Sequence, residues 1–170
     1  NSSNPILLDN LPLSKAHYFY LDELYAYVAC WDAGLRIVNI TDPTDLAIIG
    51  IFSDGIEVGG VYVSEDLALV TKIDGGVLFL NVSNPTLPFK IAQYDAPGIP
   101  NICKIRDDVA YIAYWEDTGS RIVFLDIANP QSPTFIGEYN DTADTYDFYL
   151  QDDLLVIANY DEGLYFINIS

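Results

Sequence analysis

The sequence predicts an all-β chain folded as a four-bladed β-propeller, with four antiparallel strands in each blade. Three observations lead to this prediction. The sequence repeats four times, each full repeat holds four short segments rich in Val, Ile, Tyr and Phe, and Asp, Asn, Gly and Pro separate these segments. Four strands within about 40 residues is the size of one propeller blade. The sequence has no stretch with the apolar spacing of an amphipathic helix.

The clearest repeated segment is the predicted third strand of each blade. GLRIVNI at 34–40 recurs as GVLFLNV at 76–82, RIVFLDI at 121–127 and GLYFINI at 163–169. The period is 42 residues, except where a three-residue insertion lies in the turn at 116–120. We therefore expect a single propeller domain over residues 1–170, with repeats at approximately 12–52, 53–94, 95–139, and 140–170 plus 1–11.

The two ends of the chain predict how the ring closes. The fourth copy stops at Ser170, directly after its third strand, and NSSNPILLDNL at 1–11 aligns with the fourth-strand region DPTDLAIIGIF at 42–52. One blade cannot bury both faces of its sheet, so blades stack around an axis, and an open array would leave faces and an edge exposed. We expect the N-terminal strand to complete the C-terminal blade and to close the ring.

The charge of the chain excludes several classes of partner. With 25 acidic and 7 basic side chains the net charge is −18, which disfavours nucleic acid and anionic membrane surfaces. No apolar run approaches the ~20 residues of a membrane span, and no signal-peptide pattern opens the chain. Because the sequence begins at Asn1 and contains no Met, we expect it to be processed or excised from a longer precursor. Cys30 and Cys103 lie in apolar strand segments, which predicts buried free thiols.

Two blocks of the sequence resemble a known repeat. AYVACWDAGLRIVNITDP and ALVTKIDGGVLFLNVSNP are similar to the LVIVD repeat, a propeller repeat of bacteria and archaea, and the resemblance extends to all four copies. The third copy departs from the pattern at Ser120 and Arg121, and the usual Asp of the third strand is Asn39, Asn81 and Asn168 in the other copies. The resemblance implies a secreted or cell-surface protein without a shared catalytic motif.

Acidic residues recur in phase after the second strand of each repeat, in turns that are expected to lie on the same face as the connections between blades. They are Asp32, Asp74, Glu116 and Asp161. Carboxylates gathered around an axis could hold calcium, which prefers six to eight oxygen ligands. The alternative is that each acid hydrogen-bonds the backbone of its own turn.

Two phased sets of larger side chains are further candidates for a binding site. Tyr20, Tyr62, Lys104 and Tyr149 share one position of the innermost strand, where they could line a small-molecule pocket or fill a narrow axis. Trp31 and Trp115, with Tyr160 as the fourth-repeat counterpart, end the second strand. They could form an exposed contact for protein or sugar, or pack between blades.

These observations favour a non-enzymatic binding or interaction propeller. The sequence contains no zinc-protease, paired-cysteine, phosphate-loop or dinucleotide motif, and its single histidine, His17, has no nucleophile suggested nearby. We expect no catalytic residue and no resident cofactor, calcium being the one open candidate, and a monomer that binds protein, carbohydrate or another small molecule. Two alternatives are a carboxylate-using hydrolase or lyase at the channel mouth, and a structural spacer.

Overall fold

A computed structural model of the protein describes residues 4–160 and 162–170. These residues form fifteen β-strands in four antiparallel sheets, which follow one another along the chain. The all-β fold class is therefore confirmed. No helix in this part of the chain is long and apolar enough to cross a membrane.

Sheets 1 and 2 each contain four strands that pair in sequence order. Sheet 1 consists of β1 (Tyr18–Leu21), β2 (Tyr25–Ala29), β3 (Leu35–Asn39) and β4 (Ala47–Phe52). Sheet 2 consists of β5 (Val58–Ser64), β6 (Leu67–Lys72), β7 (Val77–Asn81) and β8 (Phe89–Tyr94). Because each strand is antiparallel to the next, short turns are enough to connect them.

Sheet 3 has the same order with longer strands. It consists of β9 (Ile99–Arg106), β10 (Val109–Glu116), β11 (Gly119–Asp126) and β12 (Thr134–Asp141). The predicted insertion accounts for the longer β10–β11 hairpin, where Trp115 lies opposite Ser120 and Glu116 opposite Gly119. Sheet 4 has three strands, β13 (Thr145–Gln151), β14 (Leu154–Asn159) and β15 (Gly163–Asn168).

The described residues do not include the fourth strand that the sequence predicts for sheet 4. Residues 4–17 contain no strand, and residues 1–3 lie outside the described part of the chain. The segment instead lies against sheet 1, where Asp9 accepts a hydrogen bond from the backbone N–H of Leu46 (2.9 Å) and Leu11 and Leu13 pack on apolar side chains of that sheet. The apolar burial of the segment is therefore with sheet 1, and its backbone does not pair with β15.

Antiparallel pairing gives the molecule two distinct ends. The turns between second and third strands lie at the same end as the connections from one sheet to the next, and we call this end the connection face. The turns between first and second strands, and between third and fourth strands, lie at the opposite end, which we call the turn face.

The core consists of layers between successive sheets. One buried cluster joins sheets 1 and 2 and includes Ile37 and Val61, a second joins sheets 2 and 3 through Phe79 and Ile112, and a third joins sheets 3 and 4 and includes Phe148. Each interior sheet thus buries both faces against its neighbours, as expected for stacked blades.

The repeated Asn or Asp of the third strand has a structural role. Its side-chain oxygen accepts a hydrogen bond from the backbone N–H two residues later in every sheet, the donor–acceptor pairs being Thr41 to Asn39, Ser83 to Asn81, Ala128 to Asp126 and Ser170 to Asn168. Such side chains stabilise the start of a turn. Asn can replace the usual Asp at this position because both side chains supply the oxygen that accepts this hydrogen bond.

Glycine lies where the chain enters the third strand for two physical reasons. Gly34, Gly76 and Gly119 all have positive φ, and a Cβ at each would collide with the backbone carbonyl oxygen of the neighbouring fourth strand, from Phe52, Tyr94 and Asp141 respectively. Gly55, in the connection between sheets 1 and 2, also has positive φ but has nothing within 4 Å of the position of a Cβ.

We predict that Gly34→Ala destabilises the protein more than Gly55→Ala. Both substitutions impose the left-handed backbone penalty of about 1–2 kcal/mol, but only Gly34→Ala also forces the Phe52 carbonyl away. Urea unfolding followed by circular dichroism measures both free energies. Equal losses for the two variants would contradict the steric account of this turn.

Candidate functional site

The four residues predicted to share the axial position do come together. The rings of Tyr20 and Tyr62 lie 4.8 Å apart between centroids, and Tyr62, Lys104 and Tyr149 line one cleft of about 310 Å³. We call Tyr20, Tyr62, Lys104 and Tyr149 the axial ring. They occupy one register position, because each lies opposite the equivalent residue of the second strand, which is Tyr27, Leu69, Tyr111 or Val156.

Lys104 is held by contacts within the axial ring and beside it. Its Nζ lies 3.1 Å from Oδ1 of Asp147, 5.2 Å from the centroid of Phe148 and 5.9 Å from the centroid of Tyr149. Burial raises the pKa of the Tyr62 hydroxyl, and the neighbouring Tyr20 adds to the effect. Cation–π contacts and an ion pair together fix a lysine that joins sheets 3 and 4.

The phased acids are not gathered into one cluster. Three of them pair with basic side chains of their own surroundings: Asp32 with Lys15 (2.6 Å), Asp74 with Lys72 (3.7 Å) and Glu116 with Arg121 (2.6 Å). Asp161, the fourth member, lies outside the described residues. Within the described ranges, no group of three or more His, Cys, Asp or Glu side chains could hold a metal ion.

The two tryptophans each join neighbouring sheets. The carbonyl of Trp31 accepts a hydrogen bond from the N–H of Val58 (3.0 Å), and its ring meets His17 edge-on at 5.6 Å. The indole N–H of Trp115 donates to the carbonyl of Thr145 (2.9 Å) in sheet 4. Trp115 thus links sheets 3 and 4 through its side chain, although it remains 37% exposed, whereas Trp31 links sheets 1 and 2 through its backbone carbonyl.

Trp115 belongs to an exposed aromatic cluster on the connection face. Its ring lies 6.2 Å from that of Tyr146, and Tyr146 stacks on Tyr160 at 5.2 Å with an interplanar angle of 22°. Tyr146 is 56% exposed and Tyr160 is 69% exposed. We call Trp115, Tyr146 and Tyr160 the aromatic platform. Three adjacent aromatic side chains in solvent are typical of a binding surface.

Tyr146 is not among the residues predicted from the sequence, because those predictions rest on residues that recur in phase. The inner-strand positions that correspond to Tyr146 hold His17, Gly59 and Asn101, so nothing aromatic repeats there. The signal that could have found it is the sequence TADTYDFY at 142–149, where a tyrosine stands beside acids at the end of a sheet-to-sheet connection.

A buried polar network joins β11 to the segment that precedes Tyr146 of the platform. The Ser120 hydroxyl donates to the carbonyl of Ala143 (2.7 Å) and lies 2.7 Å from the Thr145 hydroxyl, while the N–H of Thr145 donates to Ser120 Oγ (3.1 Å). Asn159 donates to Asp141 (2.7 Å) at the edge of the same network. Ser120 and Thr145 are both buried, and fully satisfied buried networks rigidify their surroundings.

The two cysteines are free and buried, as predicted. Burial raises the pKa of the Cys103 thiol to about 12, and it also raises the pKa of Cys30. Because the thiolate is the reactive form, neither side chain is suited to nucleophilic chemistry near neutral pH.

Comparison with known sequences identifies the repeat. The LVIVD repeat matches the chain three times, at residues 16–54, 57–96 and 103–141, which together cover more than half of it. These matches fall on sheets 1, 2 and 3. No curated protein matches the sequence.

Comparison with solved structures supports a β-propeller. The computationally designed Ika4 protein superposes with a TM-score of 0.75 at 12% identity, covering 98% of this chain and 99% of Ika4. The computationally designed Ika8 protein gives 0.71 at 11% identity, covering 91% of this chain and 46% of Ika8. The β-propeller domain of Myceliophteria thermophila Cps50 (Swd1) gives 0.67 at 11% identity, covering 86% of this chain and 54% of that one. At such identities the likeness concerns the fold alone.

We predict that Ser120→Ala lowers the free energy of unfolding by roughly 1–3 kcal/mol, because it leaves buried groups of the network without a partner. Thr118→Ala, on the exposed turn beside it, serves as the control and is expected to change stability little. Chemical denaturation measures both effects. A neutral result for Ser120→Ala would show that the network does not hold sheets 3 and 4 together.

Proposed function

The chain belongs to the LVIVD repeat family, and we propose that it is a closed four-bladed propeller that binds a ligand on its connection face without catalysing a reaction. We place it in a secreted or surface-displayed microbial protein, in line with the family resemblance. The aromatic platform is the observation that carries the binding function. Closure of the ring matters to this function because the platform lies on sheets 3 and 4, beside the point where the ring would close.

The position of the N-terminal segment supports closure. Gly50 of β4 lies against the turn between β7 and β8 of sheet 2. A Cβ at Gly50 would collide with the Pro85 carbonyl oxygen of that turn. Asp9, which aligns with Gly50, contacts the corresponding turn of sheet 1 through Leu46. Leu11 aligns with Phe52 and packs on sheet 1, as Phe52 packs on the cluster shared with sheet 2. These contacts support a position of the segment beside sheet 1 that resembles the position of β4 beside sheet 2.

The free edge of sheet 4 also supports closure of the ring. β15 has a paired neighbour on one side only, and a cleft of about 560 Å³ lies between it and sheet 3. Leu164 and Phe166 of β15 are exposed, and so are Ile6, Leu7 and Leu8 of the segment. Full burial of each such side chain contributes roughly 1.5–3 kcal/mol, and pairing would also satisfy the edge. We propose that residues 6–11 pair with β15 as the fourth strand.

Gly163 offers a direct test of closure. In sheets 1 to 3 the equivalent glycine lies against a carbonyl of the fourth strand, whereas Gly163 has nothing within 4 Å of its Cβ position. If the fourth strand pairs with β15, we expect Gly163→Ala to destabilise the protein as much as Gly34→Ala. The measurement is urea unfolding of Gly163→Ala, Gly34→Ala and Gly55→Ala side by side. A loss no larger than that of Gly55→Ala would refute closure.

The connection face supports binding rather than catalysis. The three described acids on the turns between second and third strands pair with basic side chains, Asp32 with Lys15, Asp74 with Lys72 and Glu116 with Arg121. Hydrogen bonding from Lys72 holds the pKa of Asp95 below its usual range. An ionised, paired carboxylate is poorly placed to act as a general acid. Aromatic side chains, in contrast, supply large and rigid contact area at little entropic cost.

We predict that a ligand of the connection face changes the fluorescence of Trp115. In a Trp31→Phe background Trp115 is the only tryptophan, and the probes are hexa-arginine, hexaglutamate and cellohexaose. At least one probe should shift the emission, and Tyr160→Ala should remove most of the response. Tyr149→Ala, on the axial ring near the turn face, is the matched control because Tyr149 is as exposed as Tyr160. Loss of binding in Tyr149→Ala alone would assign the site to the axial ring instead.

A further inference from the structure

The connection face carries negative charge that its own basic side chains do not neutralise. Lys15, Lys72 and Arg121 are each engaged with carboxylates, Lys72 with Asp95 at 2.9 Å and Arg121 with both Glu116 and Glu138. In the described residues, no ion pair joins Asp117 or Asp144 to a basic side chain, and both are exposed beside the platform. The chain as a whole has a net charge of −18, so this face attracts cations over a long range.

A cleft beside the platform combines aromatic and acidic walls. It has a volume of about 460 Å³ and is lined by Pro97, Gly98, Ile99, Trp115, Glu116, Asp117 and Thr118. Ile99 and Trp115 are both partly exposed. An aromatic face attracts a cation through its quadrupole, and a carboxylate next to it forms a charge-assisted hydrogen bond with the same group. The cleft therefore suits a long side chain with an apolar stem and a cationic head.

The hydrogen-bonding groups of this face are mainly acceptors. The indole N–H of Trp115 is already used by Thr145, and the guanidinium of Arg121 already binds Glu116, Glu138 and the Pro97 carbonyl. The carboxylates of Asp117 and Asp144 can only accept when ionised. In the described structure, three buried polar atoms of sheet 3 lack a hydrogen-bond partner: the acceptor Oδ1 of Asn101, the Tyr114 hydroxyl, and Nε of Arg121, which forms an ion pair with Glu116 at 2.6 Å. A ligand rich in N–H donors complements such a surface.

Deepening the proposed function on which it rests, we infer that the platform and the cleft beside it bind an arginine-bearing segment of a partner protein. A guanidinium presents five donors in a plane, stacks on aromatic faces and remains charged at any physiological pH. These properties match, in turn, the acceptors, the exposed rings of the platform and the unpaired carboxylates. A neutral sugar would use the rings and leave the charge of Asp117 and Asp144 without a counterpart.

The test titrates hexa-arginine, hexalysine and cellohexaose into the Trp31→Phe protein. Hexa-arginine should bind most tightly, and Asp117→Asn/Asp144→Asn should weaken it at least tenfold at 0.1 M salt. Asp66→Asn/Asp153→Asn, on exposed turns of the turn face, has the same net charge and controls for long-range attraction. Tyr160→Phe should retain hexa-arginine binding and Tyr160→Ala should lose it, because the ring rather than the hydroxyl attracts the cation.

Each outcome separates the inference from the proposed function. Equal weakening by the two double variants would show that the peptide responds only to overall charge, and this overturns the inference. Binding of cellohexaose without hexa-arginine, lost in Tyr160→Ala, overturns the inference and leaves the connection face as the binding site. If no probe changes the emission of Trp115 while the variants remain folded by circular dichroism, both proposals fail.

Discussion

Every sheet in this protein has two faces that carry apolar side chains, and the architecture depends on covering both. Sheet 2 meets this requirement fully, with one buried cluster shared with sheet 1 and another shared with sheet 3. Sheets 1 and 4 have one covered face each from this stacking, and the remaining face of sheet 1 is covered in part by Leu11 and Leu13. Exposed apolar side chains remain on the two terminal sheets, on β1 and β15, and on the N-terminal segment. In a linear stack of sheets, each terminal sheet leaves one apolar face uncovered. A closed ring has no terminal sheet and covers every face.

The repeat is maintained by chemistry that is local to each sheet. The side-chain oxygen after the third strand, the positive-φ glycine before it and the register shift between third and fourth strands recur from sheet to sheet. None of these features depends on which blade it lies in. The aromatic platform, in contrast, is concentrated around the sheet that departs from the pattern.

Sheet 3 shows how such a departure creates a candidate site. Its insertion lengthens the β10–β11 hairpin, and Ser120 lies in the added part, where it bonds Thr145 and the Ala143 carbonyl of the connection to sheet 4. Trp115, on the same hairpin, donates its indole N–H to the Thr145 carbonyl. The connection that holds Tyr146 is therefore anchored at two points, and Tyr146 in turn stacks on Tyr160. An aromatic surface on rigid supports loses little conformational entropy on binding.

The all-β class, the division into sheets and the strands of sheets 1 to 3 follow from the amino-acid sequence, whereas the predicted fourth strand of sheet 4 is not among the described strands. Hydrophobic alternation and turn residues are local signals, and a repeat converts one local assignment into four, so the sequence alone places Tyr20, Tyr62, Lys104 and Tyr149 together. The roles of the phased acids and of the aromatic side chains depend instead on the tertiary structure. Periodicity does not show that basic side chains reach three of the phased acids, nor that the unrepeated Tyr146 completes the platform. Pairings between sheets depend on side-chain direction across long sequence separations, and these directions are set by packing rather than by the local chain.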